Sequence, residues 1–113
     1  MVTIDPNDPV GNAERARRAY LESNDPAILD LAVGLGRLAV DFSSPGDSDR
    51  VTSLATLGVL LRLSYERSND RQILAEAVQV GRAAVDEASS DDRGYSLALS
   101  SLGNTLQELF GCT

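Results

Sequence analysis

Residues 20–41, YLESNDPAILDLAVGLGRLAVD, return at residues 65–86 as YERSNDRQILAEAVQVGRAAVD, an offset of 45. At that offset Tyr20, Ser23, Asn24, Asp25, Ile28, Leu29, Ala32, Val33, Gly36, Arg37, Ala39, Val40 and Asp41 recur unchanged. The register continues without a gap through Leu54/Leu99, Leu57/Leu102, Gly58/Gly103 and Leu61/Leu106, and it aligns Tyr20, Tyr65 and Phe110. A fixed period of this length is the mark of a stacked repeat array, in which each unit buries its apolar face against its neighbours.

Within the repeat the apolar residues fall at helical spacing. Ile28, Leu29, Ala32, Val33, Leu35, Gly36, Ala39 and Val40 lie on i, i+3, i+4, i+7 positions, and no stretch sustains the alternation of a strand. Five helices are expected: about Pro9–Glu22, Pro26–Phe42, Asp49–Arg67, Arg71–Ala88 and Arg93–Phe110. Asp8-Pro9 and Asp25-Pro26 each place a capping carboxylate before a proline at the first helical position, where its missing N–H is not needed. SND twice, SSPGDSD at 43–49 and SSDDRG at 89–94 supply the breaks. The carboxylates Asp47/Asp49 and Asp91/Asp92 fall in equivalent turns and are read as helix caps.

Glycines at matching mid-helix positions carry a second message. Each costs roughly 1 kcal/mol against alanine in a helix interior. Gly36 and Gly81, and in the other helix of the pair Gly58 and Gly103, are therefore expected where a neighbouring helix approaches the backbone. Tyr20, Tyr65 and Phe110 are expected as core wedges between units.

Composition narrows the function classes. The 113 residues carry a net charge of −7, and all ten basic residues are arginine. Phosphate binding needs a basic footprint, so neither nucleic acid nor an anionic membrane surface is an expected partner. No apolar run approaches the ~20 residues of a membrane span, and the start MVTIDPNDPVGN lacks the apolar core of a signal peptide. The expected setting is soluble and cytoplasmic. The single cysteine, Cys112, cannot form an internal disulfide, and the chain has no histidine. Ser-His-Asp and Cys-His catalytic arrangements are excluded with it, as are the usual zinc sets. No cofactor, metal or catalytic residue is expected. Gly34-Leu35-Gly36 sits inside a helical pattern and lacks the context of a phosphate loop.

Leu57-Gly58-x-x-Leu61, with Ala77 and Ala84 seven residues apart later, resembles the tetratricopeptide repeat. Leu99, Leu102-Gly103 and Leu106 match the first-helix half of that pattern again, and Ala32 and Ala39 match the second-helix half. The unit is 45 residues against about 34 in the usual repeat, with the extra length around YERSND and after the second helix. In this it looks like the long repeats that precede caspase-like CHAT peptidase domains in bacterial and fungal proteins. Leu54 and Leu99 stand where that family usually has tryptophan. The resemblance covers about residues 9–110. It implies a single domain over 1–113 with units at 9–46, 47–91 and a half unit at 92–113, arranged as a right-handed α-α superhelix of helical hairpins.

That resemblance also implies a concave groove lined by the first helix of each unit, holding a peptide or partner helix. Carried over position by position, it places Val10, Glu14, Arg17 and Arg18 on helix one. Helix three gives Thr52, Ala55, Val59, Arg62 and Leu63, and helix five gives Leu97, Ser100, Asn104, Gln107 and Glu108. Arg17 and Arg62 are equivalent, with Gln107 next in line. Arginine forks suit carboxylates and an asparagine can bond a peptide backbone, which points to an acidic or C-terminal peptide. The alternative is that these arginines pair with Glu14, Glu22 or Glu66.

The phase leaves two and a half units, so helix five lacks a mate. Tyr95, Leu99, Leu102, Leu106, Leu109 and Phe110 are all apolar, and large side chains left exposed forgo ~1.5–3 kcal/mol each. Either another copy of the chain or a continuation past Thr113 should cover that face, and a homodimer or higher oligomer through helix five is the expectation. The leading reading is a non-enzymatic, self-associating protein-interaction module. A purely structural spacer repeat, or a regulatory fragment of a larger bacterial effector, is the alternative.

Overall fold

Aspartates start four of the five helices. In this computed structural model, which describes residues 3–44, 47–88 and 94–111, the helices are α1 (Pro9–Ser23), α2 (Pro26–Phe42), α3 (Ser48–Ser68), α4 (Arg71–Glu87) and α5 (Tyr95–Phe110). Asp8, Asp25, Asp47 and Asp70 each accept a bond from a backbone N–H of the first turn, at 2.9–3.0 Å. They satisfy donors that the helix itself leaves unpaired. Gly94 precedes α5 without a side-chain cap. It stands so close to α3 that a Cβ there would meet Val51 and Thr52 at 3.0 Å.

The repeat extends to the way the helices stop. Asn24 ends α1 and Asn69 ends α3, both left-handed at φ 56° and 57°. Their N–H groups bond the carbonyls of Tyr20 and Tyr65. Asparagine tolerates this backbone better than most side chains, so SND is a stop signal as well as a break. Among the described residues the chain is all-α, with helix ends within two residues of those expected. Pro45-Gly46, Asp91, Asp92, Arg93 and Cys112 lie outside the described residues.

Two layers result. The first helix of each unit contacts the next, α1 with α3 and α3 with α5. In the other layer α2 packs on α1 and α3, and α4 packs on α3 and α5. One cluster gathers Ala13, Ala16 and Tyr20 of α1, Leu29 and Ala32 of α2, and Leu60 of α3. A second joins Val51, Leu54 and Ala55 to Ala84 and Ala98, and a third joins Leu57 and Leu61 to Ala77.

The glycine expectation holds at three positions. A Cβ at Gly36 would stand 3.3 Å from Leu57 and Leu60, and one at Gly81 would stand 3.1 Å from Leu102. At Gly58 it would stand 3.1 Å from Ser101 Oγ. Gly103 is a correction: nothing lies within 4 Å of its Cβ position, because no helix packs there. Phe110 is corrected likewise. Tyr20 is buried as a wedge against Leu29, Ala32 and Leu60, but Phe110 is 72% exposed, since among the described residues no helix packs over it.

Candidate functional site

α1, α3 and α5 form one layer, and a cavity lies at their N-terminal ends. Val10, Thr52 and Leu97, one from each helix, line it together with Asn7, Asp8, Asp49 and Gly94. Its volume is about 510 Å³. Thr52 and Leu97 are repeat equivalents, and Asn7 holds the same place one unit earlier. Val10, Thr52 and Leu97 were expected in the groove, and the fold brings them around one concavity.

Farther along these helices, a polar bond ties α3 to α1 and two ion pairs lie within single helices. Arg17 lies 2.8 Å from Glu14 Oε2, and Thr56 of α3 donates to Glu14 Oε1 at 2.9 Å. Burial alone would raise the Glu14 pKa. The bonds from Arg17 and Thr56 and the charges of Arg17 and Arg18 outweigh it, so the pKa falls below its ordinary value. Nearly two turns from the end of α3, Arg62 bonds Glu66 at 2.9 Å, and its Nε is buried with no hydrogen-bond partner. Glu66 moves the opposite way. Burial pushes its pKa up, Arg62 opposes this, and the neighbouring Glu108 carboxyl adds to the rise.

Arg17 is paired with Glu14 and Arg62 with Glu66, while Arg18 is exposed. Val59 is half-buried, and Asn104 and Gln107 face solvent on α5. Ala55 is corrected: it is fully buried against Ala84 and Ala98 and lines no groove.

The residues expected on the last helix divide in two. Leu99, Leu109 and Phe110 are exposed, whereas Tyr95, Leu102 and Leu106 are half-buried. Leu102 is taken up by Gly81 of α4.

Several contacts were not anticipated. Arg37 of α2 forks onto Glu76 of α4, with Nη2–Oε1 at 3.0 Å, and Arg50 bonds Glu87 at 2.9 Å. The signal was present as a break in the repeat, since Glu76 faces Leu31 in the alignment and Glu87 faces Phe42. At the other end, the Asn12 side chain bonds both N and O of Asp5 at 2.8 Å, and Arg15 Nε donates to Thr3 O at 3.0 Å. They strap residues 3–8 over an apolar hollow of about 170 Å³ lined by Ile4, Leu35, Leu38 and Phe42.

Among the described residues no group of His, Cys, Asp or Glu side chains is arranged to hold a metal ion. None of the described helices is long and apolar enough to cross a membrane. Compared with protein-family models, curated proteins and solved structures, the chain matches none.

Proposed function

We propose that the chain is a non-enzymatic, tetratricopeptide-like interaction module that holds a peptide or partner helix along the wall of α1, α3 and α5. The observation that carries this reading is the cavity to which Val10, Thr52 and Leu97 each contribute from a successive helix. A concavity of that size accepts one large side chain as an anchor, and exposed Asn104 and Gln107 offer amide bonds to a backbone farther along. Because Arg17 and Arg62 are already paired, an acidic ligand would rely on Arg18, and the cavity's mixed lining of Asp8, Asp49, Thr52, Val10 and Leu97 suits an amphipathic side chain. The absence of histidine supports a binding role over catalysis.

Selection of peptides from a displayed random library tests the reading. Selected peptides should share one large side chain and lose binding at least about ten-fold to Leu97→Arg, which blocks the cavity. Selected peptides that bind Leu97→Arg unchanged would remove the wall as the site. A spacer repeat predicts that no peptides are recovered at all.

Self-association through α5 is the second reading. It is favoured by the one observation that this helix carries a single charge, Glu108, so two copies could meet there despite the net charge of −7.

A further inference from the structure

The internal repeat states what α5 lacks. On α3 the ridge Leu54, Leu57 and Leu61 is 4%, 4% and 1% exposed. Leu57 lies on Gly36 of α2, while Leu54 clusters with Ala84 and Leu61 with Ala77 of α4. The equivalent ridge on α5 is Leu99, Leu102 and Leu106. Leu102 lies on Gly81 as Leu57 does on Gly36, but Leu99 is 45% exposed and Leu106 is half-buried. Leu99 and Leu106 are more exposed than Leu54 and Leu61, which α4 covers, and half-buried Leu102 is more exposed than Leu57, which also clusters with Ala77 of α4.

Charge adds a second requirement. Arg37 on α2 forks onto Glu76 on α4, and this ion pair bridges the two helices of the outer layer. Arg82 occupies Arg37's place on α4, is exposed, and makes no ion pair among the described residues. A helix seated over Leu99 and Leu106 in the manner of α4 would present its own equivalent of Glu76 to Arg82.

We propose that the open face of α5, with Arg82 beside it, is the acceptor for a partner's amphipathic helix of the α4 type: alanines seven residues apart for Leu99 and Leu106, and a glutamate one residue before the first of them for Arg82. This goes beyond the wall of α1, α3 and α5, which lies on another face. A second α5 fits less well. In this molecule the Leu54 and Leu61 ridge meets alanines, so the fit present on α3 is leucine on alanine rather than leucine on leucine.

The probe is a synthetic peptide of residues 70–88, which is marginal as a free helix and gains structure when it docks. Titrated into the folded chain and followed by amide chemical shifts, it should saturate, with the largest changes at Leu99, Leu106 and Arg82 and small ones at Leu54 and Leu61. Leu99→Asp, confirmed folded by circular dichroism, should abolish binding. A peptide with Glu76→Arg should bind roughly three- to five-fold more weakly, as expected for an exposed ion pair, and should recover on the Arg82→Glu protein. Three results would overturn the proposal: no saturation, shifts centred on α3 through exchange with the resident α4, or a stable dimer that excludes the peptide.

Discussion

Leu102 lies on Gly81 in the way that Leu57 lies on Gly36. A Cβ built on either glycine would stand 3.1–3.3 Å from the facing leucine Cδ1. The contacts are 45 residues apart in both partners, so the repeat in the sequence is a repeat of packing. They fix how each unit sits on the next.

Gly36→Val and Gly81→Val should each destabilise the fold by about 1–3 kcal/mol, because the added methyls meet leucine and backbone that cannot fully withdraw. Gly34→Ala and Gly103→Ala should do the reverse, by up to about 1 kcal/mol, since nothing lies within 4 Å of either position. Urea unfolding of the four variants is the measurement. Equal effects at all four would mean that the glycines are not contacts.

Asp25 and Asp70 cap equivalent helices through the same bond, to Ala27 N and Gln72 N at 2.9 Å. Replacing either with alanine should lower stability by about 0.5–2 kcal/mol. The two losses should agree closely in thermal melts. A large difference would show that the units are not energetically equivalent.

Glu14 and Glu66 make opposite contributions to the pH dependence of stability. The pKa of Glu14 is depressed, so its contribution is present above the ordinary carboxylate value and is lost as pH falls through the lower folded value. Glu14→Gln should therefore destabilise at neutral pH and make little difference at low pH. Chemical denaturation across the acid range, read for both chains, checks this.

The pKa of Glu66 is raised, so the folded chain holds that proton more tightly than the unfolded chain does. On this account stability falls as pH rises past the ordinary carboxylate value toward the raised one. Glu108→Gln removes the facing charge. It should stabilise at neutral pH by about half a kcal/mol and reduce that loss. Unchanged stability would separate α5 from Glu66.

The helices were legible because two local signals coincide at each boundary. An aspartate starts four of them, and the same asparagine stops α1 and α3. Gly36, Gly58 and Gly81 were legible as close approaches because a buried glycine at a repeated helix position has few other uses. Gly103 and Phe110 misled for one reason: they obey the repeat in sequence, but the neighbour that gives those positions meaning is absent. Ala55 misled because one surface register was carried down the whole of α3, where a neighbouring residue, Thr56, turns toward Glu14. The ion pairs of Glu76 and Glu87 were missed because attention to what recurs passes over what differs. Glu76 replaces Leu31 and meets Arg37 of the preceding unit, while Glu87 replaces Phe42 and meets Arg50 of its own unit.

Amide hydrogen exchange tests most directly whether α5 is the first helix of a unit without its mate. It compares Leu54 with Leu99 and Leu61 with Leu106, pairs that share sequence context and differ in cover. Protection reports the free energy of local opening. The account predicts markedly weaker protection at Leu99 and Leu106 in the free chain, rising toward that of α3 when the peptide of residues 70–88 is added. Equal protection of α3 and α5 in the free chain would contradict it.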